Sequence, residues 1–185
     1  MADQLFLSYR LRGYTEGSML RHFERLLRIF PYSRLSQTSS NLRVSAVSWD
    51  EPPLIETPME PPLDIDRVLT IAKEFTSADC AVHLDTKWDL WRFDEDWALQ
   101  PARVVLACFG PSFESERDDH LRIDFGIDEQ FLPQKDLPNA LFMAQSNIRS
   151  LLHLVEELDK ELNAERRQLW TDSGENFAEK LAALL

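Results

Sequence analysis

The sequence predicts an α+β fold: a mainly antiparallel sheet with helices packed on one face, in a ferredoxin-like order with extra strands, plus C-terminal helices. Three observations carry this. Cys80, Val82, Leu84, Thr86, Trp88 and Leu90 alternate with His83, Asp85, Lys87 and Asp89, and period two over that length marks a strand with one buried and one wet face. At 3.6 residues per turn the same side chains would scatter around a helix. Shorter alternating stretches and two amphipathic helical stretches precede it, and a long helical pattern closes the chain. Together they read as strands and helices sharing one core.

Leu5, Leu7, Tyr9 and Leu11 form the first alternating strand, broken by Gly13, and Thr15 is placed to cap the helix that follows. In that helix Met19, Leu20, Phe23, Leu26, Leu27 and Phe30 make an apolar stripe that ends at Pro31, with Arg21, Arg25 and Arg28 opposite. The arginine row reads as a solvated face rather than a phosphate-binding row, because no aromatic residues are interleaved as in single-strand binders. Leu42, Val44 and Ala46 predict a second strand, and Ser33–Leu35 is a short candidate to pair with it as a hairpin.

Residues 50–64 hold five of the ten prolines and five acidic residues. Proline fixes φ and withholds an N–H, so this segment is expected as an extended connection outside any ladder, either a docking motif or an inert surface loop. Asp64 is placed to cap a helix with Ile65, Val68, Leu69, Ala72 and Phe75 inward. The long strand follows, then a DEDWALQP loop. Arg103–Phe109 is apolar on both sides, as a central strand requires. His120–Gly126 closes the meander with Leu121, Ile123 and Phe125 inward.

From Asn139, Leu141, Ala144, Ile148, Leu151, Val155, Leu158 and Leu162 follow a 3-4 spacing. A helix from Asn139 to Asn163 is about 37 Å long, more than a small sheet covers, so its acidic C-terminal half is expected to project or to pair with another helix. A short helix near Glu175–Leu185 follows. The domain organisation expected is a sheet domain over 1–136 and a helical extension over 137–185, either packed on it or mediating a homodimer through the helix 139–163.

The net charge of −12 argues against non-specific nucleic-acid or anionic-membrane binding. It is uneven, with residues 1–49 at +4 and the remainder at −16. The apolar runs fall short of the roughly 18–20 residues a membrane span needs. The polar start after Met1 lacks signal-peptide character. Two inward cysteines, Cys80 and Cys108, are no disulfide framework. The expectation is a cytoplasmic protein with reduced thiols and no cofactor.

With five glycines in total, no GxGxxG, phosphate-loop or GxSxG pattern occurs, and HExxH is absent. One chemical constellation remains. If the two flanking strands of the meander share a sheet, His83, Asp85, His120 and Asp124 share its wet face, where two histidines with carboxylates could hold a metal or act as an acid–base pair. The competing reading is ordinary cross-strand charge pairing, which any solvated sheet displays. A second candidate lies where the long strand ends. Trp91 and Phe93 take the outward parity, and Trp97 sits among Asp94, Glu95 and Asp96. Aromatic groups beside carboxylates suit a contact with a basic partner, and the alternative is a small local core.

The leading expectation is a non-catalytic, immunity- or adaptor-like domain that binds another protein with a basic surface through Trp91, Phe93, Asp94, Asp96 and Trp97. The alternative is a small metal-assisted hydrolase using His83, Asp85, His120 and Asp124.

Overall fold

The computed structural model describes residues 2–174 and 176–185; Met1 and Glu175, the latter the expected start of the last helix, lie outside the described residues. Along the chain run β1 (Gln4–Leu11), α1 (Met19–Ile29), β2 (Ser40–Ala46), β3 (Ile55–Met59), α2 (Ile65–Phe75), β4 (Cys80–Phe93), β5 (Trp97–Phe109), β6 (Leu121–Ile127), a 3₁₀ turn (Asp128–Phe131), α3 (Ala140–Glu161), β7 (Ala164–Thr171) and α4 (Phe177–Ala182). The fold is α+β. Among the described residues seven strands form one sheet in the order β3-β2-β4-β5-β6-β1-β7, and every adjacent pair is antiparallel.

The parity expected of the long strand holds. Cys80, Val82, Leu84, Trp88 and Leu90 are at most 1% exposed, whereas His83, Asp85, Lys87 and Asp89 are half-buried. The even-numbered side chains of β4 join Met19, Phe23, Leu26 and Leu27 of α1, Val68 and Ala72 of α2, and Ile148, Leu151 and Leu158 of α3 in one apolar cluster. Ala81, Ala107, Phe109 and Phe113 form a second, small cluster, and their odd-numbered strand positions put it on the other face. Asp64 caps α2 as expected, its carboxylate accepting from Arg67 N–H at 3.1 Å. Thr15 does not cap α1. Ser18 occupies the cap position, and its hydroxyl accepts from the Thr15 N–H instead.

Five further expectations about strands and their order are corrected. Ser33–Leu35 is not a strand: Ser33 N–H donates once to Lys87 O, while the Asp89 carboxylate takes the Ser33 hydroxyl and the Arg34 N–H that a ladder would have used. The proline-rich segment does enter the sheet, because β3 lies at its edge, where a proline such as Pro58 is tolerated. The DEDWALQP loop shrinks to a turn over Asp94–Asp96, with Trp97 already paired to Phe93 and Pro101 to Asp89. The sheet lacks the ferredoxin-like strand order: β1 and β2, which flank α1, are separated by β4, β5 and β6. Residues 137–185 are not purely helical, since β7 pairs with β1 along Leu5–Leu11.

The return of β7 also accounts for α3. Seven strands about 4.8 Å apart make a sheet roughly 29 Å wide, wide enough to seat most of a 22-residue helix. Its C-terminal half does not project. Leu154 and Leu158 are buried, and the apolar stripe faces the protein's own core rather than a second helix.

Candidate functional site

The β4–β5 hairpin end brings the outward aromatic residues together through register alone. Phe93 pairs with Trp97 across the turn and Trp91 with Leu99, so all four take the same parity. The Phe93 and Trp97 rings meet edge to face at 5.4 Å. Trp97 is steadied at both ends: its N–H donates to Asp96 Oδ1 at 2.7 Å and its indole Nε1 to Pro138 O at 2.6 Å, just ahead of α3. Trp91, Phe93 and Trp97 are half-buried, while Asp94, Glu95 and Asp96 are exposed. Three further large apolar side chains are exposed. Leu99 is 44% exposed, and at the start of α3 Leu141 is 49% and Phe142 59% exposed. A small cleft of about 120 Å³, walled by Trp91, Phe93, Trp97, Leu132 and Asn147, opens under the rim.

What anchors this rim was not visible in the chain. Asn147 of α3 is buried, accepts from Trp91 N–H at 2.8 Å, and donates to Trp91 O at 2.9 Å and Gln130 O at 2.7 Å. One carboxamide thus ties the strand end, the 3₁₀ turn and the helix together.

The other constellation is dispersed. His83 lies beneath Trp49, ring centroids 3.9 Å apart, and beside Phe109. Its Nε2 is buried with no hydrogen-bond partner. Burial, with Arg43 and Arg122 nearby, pushes its pKa down to about 3, so the ring is neutral. Asp85 is held by the Arg103 guanidinium, with Nε and Nη2 at 2.8 and 2.7 Å from its Oδ2. Asp124 accepts from Gln4 Nε2 at 2.6 Å and from Gly126 N–H at 2.8 Å. His120 falls just before β6; its Nδ1 accepts from Leu11 N–H at 2.9 Å, and its ring stacks on Tyr14 at 4.0 Å. Burial depresses its pKa. Each of the four residues is engaged with different neighbours, and among the described residues no group of three or more His, Cys, Asp or Glu side chains is placed to hold a metal. The α1 arginines are also dispersed: Arg28 pairs with Glu24 and Asp66, and Arg25 donates to Glu161 O.

The face carrying His83 is partly roofed by residues 110–119, and a buried polar network fastens that roof. Asp119 accepts from the Ser8 hydroxyl at 2.7 Å, the Ser115 hydroxyl at 2.6 Å and Arg122 Nε at 2.7 Å. Trp170 Nε1 donates to the same Ser8 oxygen at 2.9 Å. Burial opposes its charge, but Arg122 and the two hydroxyls hold the Asp119 carboxyl below its ordinary range. The only signal in the sequence was a serine in the middle of β1.

No protein-family model matches the chain, and neither a curated protein nor a solved structure does. Among the described residues no helix is long and apolar enough to cross a membrane.

Proposed function

We propose that this chain is a non-catalytic, immunity- or adaptor-like cytoplasmic domain that docks another protein carrying a basic surface, using the rim formed by Trp91, Phe93, Asp94, Asp96 and Trp97. The observation that carries the reading is the coincidence, on one hairpin end, of half-buried aromatic rings and three exposed acidic residues. Aromatic residues held rigid before binding lose little conformational freedom on docking, and a surrounding ring of charge selects and steers a partner of opposite sign. Trp97 is held in this way by Asp96 and Pro138. The net charge of −12 favours fast encounter with a basic protein.

Affinity capture with the full chain, run in parallel with Trp97→Ala and Asp96→Asn, tests the reading. A basic protein retained by the parent chain and lost from both variants is the expected result. Identical binders on all three baits would remove the rim from the account.

A further inference from the structure

A second concavity, of about 520 Å³, lies between the start of β2, the segment ahead of it, the middle of β4 and the residues leading into α2. That volume is in the range of small-molecule sites. Its two sides differ in chemistry. Pro61, Pro62 and Leu63, backed by the buried Met59, form an apolar wall. The rest of the lining includes the hydroxyls of Ser36, Thr38, Ser40 and Thr86, linked in pairs: Ser36 to Thr38 at 3.0 Å and Ser40 to Thr86 at 2.8 Å.

Two cations complete the lining. Lys87 Nζ donates to Thr38 Oγ1 at 2.8 Å, and an ammonium has three protons to give. The carboxylates two residues to either side on β4 are engaged elsewhere, Asp85 by Arg103 and Asp89 by Ser33 and Arg34. Among the described residues Lys87 has no carboxylate within ion-pair distance. Arg103 binds Asp85 through Nε and Nη2, which leaves the protons of Nη1 for a ligand. The Asp85 carboxylate also lines the pocket and offsets Arg103, so in a chain of net charge −12 the polar side keeps the Lys87 charge and the hydroxyl groups.

We propose that this pocket binds a small phosphomonoester, with its phosphate against the cross-strand partners Lys87 and Arg103 and the Thr38 hydroxyl, and its organic part against Pro61 and Pro62. Three phosphate oxygens can accept from an ammonium, a guanidinium and a hydroxyl at once, which a carboxylate's two oxygens match less well. The cavity is far larger than a bare phosphate, and its apolar wall requires a carbon skeleton.

Titration of the full chain with phenyl phosphate, inorganic phosphate and benzoate, followed by calorimetry and by amide chemical shifts, tests this. Saturable binding of phenyl phosphate is expected, weaker for inorganic phosphate, with shifts centred on Thr38, Thr86 and Lys87. Lys87→Gln should weaken it by about tenfold or more, and Lys87→Arg should retain most of it, with the thermal transition of both variants unchanged. Three results would each overturn the proposal: no saturable binding of phenyl phosphate, benzoate binding as tightly, or binding only of a phosphorylated peptide.

Discussion

Asn147 gives Trp91 the pair of hydrogen bonds that a neighbouring strand would give, accepting from its N–H and donating to its carbonyl across 56 residues of sequence. The exchange has the form of a hydrogen-bonded pair in an antiparallel ladder, made by one side chain. Replacing Asn147 by Leu should leave Trp91 N–H, Trp91 O and Gln130 O without their partner. Each unsatisfied buried group costs about 1–3 kcal/mol, so a loss of about 3 kcal/mol is expected in urea unfolding. A loss below about 0.5 kcal/mol, the size of an ordinary surface change, would show that the carboxamide is not what fastens the rim.

The stacking of Trp49 on His83 makes stability sensitive to mild acid. The folded-state pKa of His83 is depressed to about 3 from an ordinary value of 6.5. Between those values the unfolded chain binds a proton that the folded chain refuses. The stability contributed is therefore complete above pH 6.5 and lost as pH falls toward 3. His22 and His120 are shifted in the same direction by burial. At pH 5 His83 alone should account for a loss of about 2 kcal/mol relative to neutral pH. Denaturant unfolding at a series of pH values should show this slope, reduced by about one proton in His83→Gln. An equal slope in that variant would remove His83 as the cause.

Asp119 and Arg122 form the buried ion pair under the 110–119 roof, with side chains 2% and 12% exposed. Truncating one partner leaves the other's charge buried and unpaired, which costs about 3–5 kcal/mol. Asp119→Ala should therefore be among the most damaging polar substitutions, and replacing both residues together should cost less than the two single changes added. Thermal unfolding of the two single variants and the double variant measures this directly. Additive losses would mean that the pair is not coupled.

Both cysteines should be silent in the folded protein. Cys80 and Cys108 are buried and free, and burial pushes the Cys108 thiol up to about 12 against the Tyr14 hydroxyl that partners it at 3.1 Å. A thiol reagent at neutral pH should label neither until denaturant is added, when both react. Labelling of the native protein at the rate of an exposed thiol would contradict the packing described.

Local pattern dictated much of this molecule. The alternation from Cys80 to Leu90 defined β4 and its buried face, the stripes of α1 and α2 emerged where their spacing placed them, and the inward cysteines are indeed buried. Parity also placed Trp91 and Phe93 on the outward side. These features follow from backbone geometry repeating over a few residues.

The packed molecule settled what no local period encodes. Residues 164–171 carry charges at three successive positions, Glu165, Arg166 and Arg167, and give no strand signal, yet they form β7 because β1 offers them an open ladder. His83 and His120 share an outward face on paper, but one is roofed by Trp49 and the other stacks its ring on Tyr14. Asn147, Asp119 and the Lys87 pocket each depend on groups tens to more than a hundred residues apart. Contacts at that separation form only when burial of the whole core outweighs the entropy of closing the intervening chain, and this balance belongs to the fold rather than to any short segment of it.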